Sequence, residues 1–302
     1  MKIDKIEKVA IVGLGMMGAS LAAALKNKFF KGSIIGYSRN ENTCKDAIEK
    51  KIVDDASVNL KAVVENADLI VMCLPIDLII NKTNEIFDYL KDGAIVTDIG
   101  STKKNIVSLL EKKFKNTNKF FVGSHPICGS EKSGFKFYND KLFENKVTVI
   151  CSSLDSPKNI LNTIKNFWEM IDSKTIFLNA SLHDKKLALT SHLPHILSSL
   201  LIDVFEKNKN KFKEDDIYNF CGTGFNDVSR LASGSSDIWK DIILTNSEEI
   251  IYQLEILEES VNQLRHIIAN GNSDEIYSWL NETAQLREKI ISKNRLWIYD
   301  SI

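Results

Sequence analysis

The residues best suited to chemistry fall into a few clusters. Gly13-Leu14-Gly15-Met16-Met17-Gly18 follows the pattern G-x-G-x-x-G. In that pattern the first glycine permits a tight turn, the second lets the backbone approach a pyrophosphate, and the third lets helix and strand pack closely. A helix opening at the loop adds free N–H groups and a positive dipole end, so the chemistry implied is dinucleotide binding. Gly13, Gly15, Met16, Met17 and Gly18, with Leu74 after a later strand, are the candidate cofactor contacts. NAD sites usually place an acid about 20 residues further on, at the tip of the second strand. Here the tip reads Gly36-Tyr37-Ser38-Arg39-Asn40, without an acid. Ser38 and Arg39 suit a ribose 2′-phosphate, which favours NADP over NAD.

The remaining clusters are Thr97-Asp98-Ile99-Gly100-Ser101-Thr102-Lys103, the stretch from Gly123 through His125 and Pro126 to Glu131, His183-Asp184 followed by Ser191-His192-Leu193-Pro194-His195, and the stretch from Gly222 to Arg230. The first two should lie at the carboxyl ends of strands, where ligands gather in open α/β sheets. His192 and His195 have a spacing that a metal site can use, but no third ligand stands at a recognisable distance. No metal is expected. The five cysteines are scattered and form no C-x-x-C pair, which fits a reducing compartment and a cytoplasmic protein.

The elements that must position these residues can be read from hydrophobic pattern. Val9–Val12, Ser33–Tyr37, Leu69–Cys73, Ala94–Asp98, Phe120–Ser124 and Val147–Cys151 are nearly continuous apolar runs, as in parallel strands buried on both faces. Helix-length segments lie between them: Met16–Asn27, Glu41–Lys50, Asp77–Leu90 and Lys103–Lys113. This alternation predicts an α/β, Rossmann-type doubly wound sheet over residues 1–179, closed by a helix Pro157–Ile171 and a strand Thr175–Leu178. Residues 180–302 read as an all-α domain: Ser181–Asn208, a short helix near Asp215–Phe220, Asp237–Ala269 and Ser273–Tyr299. Ile250, Ile251, Leu254, Leu257, Val261, Leu264 and Ile268 make one apolar stripe, so this domain should pair with a second copy in a homodimer. The N-terminal lysines before Val9–Leu25 superficially resemble a secretory signal, but Gly13, Gly15 and Gly18 are poor residues for an apolar signal helix and the run is short for a membrane span.

Taken in order, D-x-G-S-x-K (Asp98–Lys103), H-P-x-x-G-x-E (His125–Glu131), H-D-x-x-x-A-x-x-S-H-L-P-H (His183–His195) and G-F-x-D-x-x-R (Gly224–Arg230) carry a resemblance to the prephenate dehydrogenase family, which includes the arogenate dehydrogenases. The resemblance implies an NAD(P)-dependent oxidative decarboxylation of prephenate to 4-hydroxyphenylpyruvate in tyrosine biosynthesis. It implies that His125 accepts the C4 hydroxyl proton, that Ser101 bridges substrate, His125 and nicotinamide, and that Arg230 binds a substrate carboxylate. Glu131, His183 and His195 would line the pocket, with Trp239 as a pocket aromatic. Apart from any role, Ser101 is placed to N-cap the helix that follows it, and Asp227 to form a salt bridge with Arg230 one turn away. The departures are Asn226, where the family often has a cation, and the Ser38-Arg39 tip. His195 and Glu131 favour prephenate over arogenate.

Composition bounds the rest. A hydrophobic share of 44% with 26% charged residues suits a soluble globular chain. Thirty-nine basic against forty acidic residues give a net charge of −1, so no nucleic-acid footprint exists. Two other readings compete. A β-hydroxyacid dehydrogenase of the 6-phosphogluconate type would use a lysine such as Lys185 or Lys186. A cofactor-sensing dimer would bind NADP without turnover.

Overall fold

The computed structural model describes residues 6–129, 132–152, 156–211 and 217–293. The chain enters through β1 (Lys8–Val12), α1 (Met16–Asn27), β2 (Ser33–Tyr37), α2 (Glu41–Glu49), β3 (Asp55–Ser57), α3 (Leu60–Val64), β4 (Leu69–Met72) and α4 (Ile76–Ile86). It continues through β5 (Ile95–Asp98), α5 (Lys104–Phe114), β6 (Phe120–Ile127), β7 (Val147–Cys151), α6 (Lys158–Glu169) and β8 (Lys174–Leu178). The eight strands form one sheet in the order β3-β2-β1-β4-β5-β6-β7-β8. β4, β5 and β7 are buried at every position, as their unbroken Leu, Ile, Val and Thr sequences require of strands covered on both faces.

Two expectations need correction here. β7 runs antiparallel to β6, with His125 opposite Val149. Among the described residues no crossover helix links them and the connection carries the short 3-10 turn Phe135–Phe137, so β7 starts where β6 ended. β3 was not foreseen, because Asp-Ala-Ser is too short and polar to read as a strand.

Two apolar layers cover the sheet. One packs Leu21, Leu25, Phe143, Phe167 and Trp168 against it; the other packs Val63, Ile79, Ile106, Leu110 and Phe114. The buried Trp168 indole N–H donates to Ser124 Oγ (3.1 Å), and Ser124 Oγ pairs with Thr97 Oγ1 (2.8 Å). Polar atoms beneath the end of β6 are thereby satisfied, which fixes the backbone that presents His125.

Beyond β8 all described elements are helical: α7 (Ala180–Leu187), α8 (Leu193–Asn208), α9 (Thr223–Ser229), α10 (Ser236–Thr245), α11 (Ser247–Asn270) and α12 (Ser273–Lys293). The expected helix Ser181–Asn208 is interrupted by a π-helical turn, Ala188–His192. Pro194, which has no N–H to donate to the turn before it, stands in the first turn of α8. The expected helix Asp237–Ala269 is two helices, broken at Asn246 (φ −125°, ψ 28°). The Asn246 side-chain amide donates to the Asp184 carbonyl oxygen (2.9 Å). α9 was not foreseen, and the short helix near Asp215–Phe220 is a 3-10 turn, Ile217–Phe220, with residues 212–216 outside those described. Residues 294–299 of the expected last helix also lie outside them.

Candidate active site

Strand register gathers the site. Val12 pairs with Met72 and Met72 with Asp98, so the residues leaving β1, β4 and β5 emerge side by side at the carboxyl edge. Strand order reverses between β1 and β4, which opens the crevice where such sheets bind ligands. Gly13 turns there with φ +109°, and a Cβ on it would stand 2.3 Å from the Cys73 carbonyl oxygen. Gly18 backs onto the same turn, with a Cβ only 2.0 Å from the Gly13 oxygen. At Gly15 a Cβ would meet nothing within 4 Å. α1 begins at this open face with no side-chain cap and no acid in its first turn, leaving its N–H groups unclaimed by side chains. The cradle therefore fits a dinucleotide pyrophosphate.

Next to it lies a cavity of about 560 Å³. The glycine-loop side contributes Gly15, Met16, Met17 and Leu74, and the strand ends contribute Ser101 and His125. The helical part contributes Ser191, His192, Trp239 and Asp241. Cofactor loop, candidate base and helical cover thus share one space. Cys73 and Cys128 also border it, but burial raises both thiols, Cys128 to about 12, so neither is a nucleophile there.

A line of side chains supports His125. Its Nδ1 stands 2.8 Å from His183 Nε2, and His183 Nδ1 stands 2.7 Å from Asp184 Oδ1. The Asp184 carboxylate also accepts the backbone N–H groups of Lys103 (2.7 Å) and Lys104 (2.8 Å) at the start of α5. Burial, and then the neighbouring His183, Lys103 and His192, hold the His125 imidazole well below its ordinary pKa. It is neutral at physiological pH and can accept a proton. Lys103 is fully buried and pairs with Asp98, whose carboxylate also accepts from Gly100 N (2.8 Å) and Ser124 N (3.1 Å). That pair braces the Ser101 loop from behind.

His195 stacks flat on Trp239, with ring centroids 3.5 Å apart and an interplanar angle of 8°. Trp239 therefore both lines the cavity and packs against its wall. Gly234 permits this, since a Cβ there would lie 2.5 Å from the Trp239 indole nitrogen.

Several expected placements differ. His183 is fully buried behind His125 and does not border the cavity. His195 is also outside the wall, holding Trp239. Ser101 does not cap α5, because the Asp184 carboxylate, held at that helix terminus by α7, takes the two N–H groups. Arg230 begins an exposed 3-10 turn (Arg230–Ser233) outside the cavity wall, and Asp227 is also exposed, with no ion pair between the two among the described residues. Ser38 and Arg39 lie beyond the cavity at the tip of β2, with Arg39 exposed. Glu131 lies outside the described residues. Lys185 and Lys186 are exposed and away from the cavity, so the β-hydroxyacid reading lacks its catalytic lysine.

The sequence reading missed Asp241 and Gly234. Ile238, Asp241 and Ile242 share one face of α10 and all border the cavity, so an acid on an apolar stripe was the available signal. Gly234 carried no such signal.

Comparison with known proteins gives a consistent picture. Residues 21–177 match the family described as prephenate dehydrogenase, nucleotide-binding domain, and residues 179–282 match prephenate dehydrogenase, dimerization domain. A prephenate dehydrogenase from Lactococcus lactis is 30% identical over 94% of this chain and 77% of its own length. The crystal structure of prephenate dehydrogenase from A. aeolicus, in complex with hydroxyphenyl propionate and NAD+, superposes with a TM-score of 0.88 at 30% identity, covering 95% of this chain and 99% of that one. Synechocystis arogenate dehydrogenase superposes with a TM-score of 0.80 at 28% identity, over 94% and 99% of the two chains.

Proposed function

Because the chain belongs to the prephenate dehydrogenase family, we propose that this NAD(P)-dependent oxidoreductase converts prephenate to 4-hydroxyphenylpyruvate and CO2 in tyrosine biosynthesis. The observation that carries the reading is the single cavity shared by the glycine-loop cradle, Ser101 and the neutral His125. When bound, the dinucleotide supplies a hydride acceptor. Gly13, Gly15 and Gly18, with the N-terminus of α1, would hold its pyrophosphate, and Met16, Met17 and Leu74 would pack against it.

His125 takes the C4 hydroxyl proton as the C4 hydrogen leaves with its electron pair. The ring carboxylate departs as CO2 and leaves its bonding pair in the ring. The oxygen, now phenolate, recovers the proton from His125. Ser101, on the same cavity wall, orients the hydroxyl toward the imidazole. Trp239 supplies a flat apolar wall for the ring. The substrate is a dianion, and we assign one of its carboxylates to Arg230. The Arg230 turn is anchored near the cavity by the Ala232 N–H donating to Ser198 Oγ (2.9 Å) and by Gly234 against Trp239. Glu131 and Asp227 complete the proposed substrate contacts, with His183 and His195 acting from behind the wall.

Three finer points belong to the same proposal. Ser38 and Arg39 favour NADP over NAD, since the tip of β2 offers a hydroxyl and a guanidinium and no acid. The helical part, 180–302 with the boundary at 179/180, forms a homodimer. Its apolar side chains Leu197, Leu200, Val204, Val228, Leu244 and Ile251 are exposed in a single chain, and residues 180–208 are apolar enough to cross a bilayer by length and composition. A second copy, rather than lipid, is the cover suited to a domain of this family. All five cysteines are free, which supports a cytoplasmic location.

The test is turnover with prephenate and with arogenate, each with NAD and NADP, followed by the absorbance of the reduced cofactor. Prephenate-dependent reduction with a higher kcat/KM than for arogenate is expected. Reduction with neither substrate would overturn the reading. A higher kcat/KM with NAD than with NADP would remove the Ser38-Arg39 argument alone, and a monomer by sedimentation would remove the dimer.

A further inference from the structure

We propose that His183 and Asp184 are positioning residues that fix the tautomer of His125, and that the Asp184 carboxylate, by capping α5, couples that tautomer to the docking of the helical part on the sheet. The proposal rests on the reading of His125 as the base.

Asp184 accepts two backbone N–H bonds at the N-terminus of α5, where the helix dipole favours an anion. In its contact with His183 Nδ1 the carboxylate is therefore the acceptor and the ring nitrogen the donor. A neutral His183 with its proton on Nδ1 has only a lone pair at Nε2. That lone pair faces His125 Nδ1 at 2.8 Å, so Nδ1 must carry the His125 proton. The His125 Nε2 is then bare and is the nitrogen left for the cavity. With His183 uncharged, each step follows from the one before it, and the first is set by two main-chain amides that cannot change protonation. Both supporting side chains are buried, so water does not compete for these bonds.

The arrangement also crosses the molecule twice. His125 leaves β6, His183 and Asp184 stand on α7, and Lys103 and Lys104 open α5. The helix that receives the cap directly follows the Ser101 loop. Asn246 holds α7 from the other side, donating to the Asp184 carbonyl oxygen and contacting His192 Nδ1 (3.1 Å). One carboxylate from the helical part thus sets a ring orientation and a loop position in the sheet part.

The test uses full-length protein with 15N-labelled histidine. In the wild type, NMR at neutral pH is expected to show His125 protonated at Nδ1 and bare at Nε2 without substrate. A proton on Nε2 would overturn the proposal whatever the kinetics. Asp184→Asn places an amide that can donate to His183 Nδ1, which reverses both rings; kcat should fall about a thousand-fold or more, as when the orienting carboxylate of a catalytic triad becomes an amide. KM and the cofactor Kd should stay within about three-fold, because neither side chain borders the cavity. His183→Gln, whose amide oxygen can accept from His125 Nδ1, should retain activity within about ten-fold of wild type, while His183→Leu should not. Equal loss in the Gln and Leu variants, or loss that follows the folded fraction, would show a structural role only and overturn the proposal. If Asp184→Asn does not fold, the wild-type spectrum and the His183 pair decide. Full activity in His125→Asn would instead refute the base assignment and leave the tautomer result standing.

Discussion

Acid should destabilise this fold through a histidine that the chain buries uncharged. His192 lies in the π-helical turn, 1% exposed, with Nδ1 against the Asn246 side-chain amide. Burial is the main force lowering its pKa to about 4; Asp184 opposes the shift and the neighbouring His183 and His195 add to it. The unfolded chain titrates near the ordinary value of about 6.5. Above that pH both states are neutral and the group has no effect on stability. Between about 6.5 and about 4 the unfolded state binds a proton that the folded state refuses, so stability falls as pH falls. At about pH 5 the difference spans roughly 1.5 pH units at about 1.36 kcal/mol each, or about 2 kcal/mol. His125, held low by burial, His183, Lys103 and His192, adds a change of the same sign. Urea unfolding at fixed protein concentration, at about pH 7.5 and about pH 5, isolates the His192 share when wild type is compared with His192→Gln. The variant should be less stable at the higher pH, having lost a packed ring, yet should lose about 2 kcal/mol less than wild type on acidification. Equal losses in the two proteins would refute the reasoning.

Three other outcomes follow from the geometry. Lys103→Met strands the buried Asp98 carboxylate and should cost about 3–5 kcal/mol, a drop in Tm of roughly 6–20 °C by differential scanning calorimetry. Adding Asp98→Asn should restore part of it, and no restoration would mean that Lys103 acts through packing alone. Gly234→Ala places a Cβ against the Trp239 indole and should raise the KM for prephenate while leaving cofactor Kd unchanged; a parallel loss of cofactor affinity by titration calorimetry would count against Trp239 as a substrate wall. Gly18→Ala forces a Cβ onto the Gly13 carbonyl oxygen and should weaken cofactor binding at least ten-fold by fluorescence titration, about 1.4 kcal/mol or more. Unchanged affinity would show that the turn tolerates displacement.

The sheet was legible because its signal is local. Continuous Val and Ile runs, punctuated by glycine and acid, mark buried strands wherever they occur, and β1 with its glycine loop needs only neighbouring residues to be recognised. β3 escaped because three residues at a sheet edge, two of them polar, carry no hydrophobic pattern. The direction of β7 was hidden because it depends on how the chain returns, and not on the strand's own composition. In the helical part the change of direction at Asn246 coincides with a tertiary contact, its side-chain amide donating to the Asp184 carbonyl, a partner 62 residues away in sequence. The same distance explains the site. Motifs brought His125 and His183 to attention separately, yet no spacing rule says that one imidazole stands behind the other. Arg230 shows the converse limit: its type suits a dianion, but its place on an exposed turn is a property of the packed helices.

The central claim is that His125 is the group that removes the hydroxyl proton in the cavity beside the cofactor. Steady-state turnover of prephenate by His125→Asn, with cofactor affinity measured on the same preparation, tests it most directly. The account predicts cofactor binding within about three-fold of wild type and a kcat lowered by about a hundred-fold or more, the range for loss of a general base. A kcat equal to that of the wild type would contradict it.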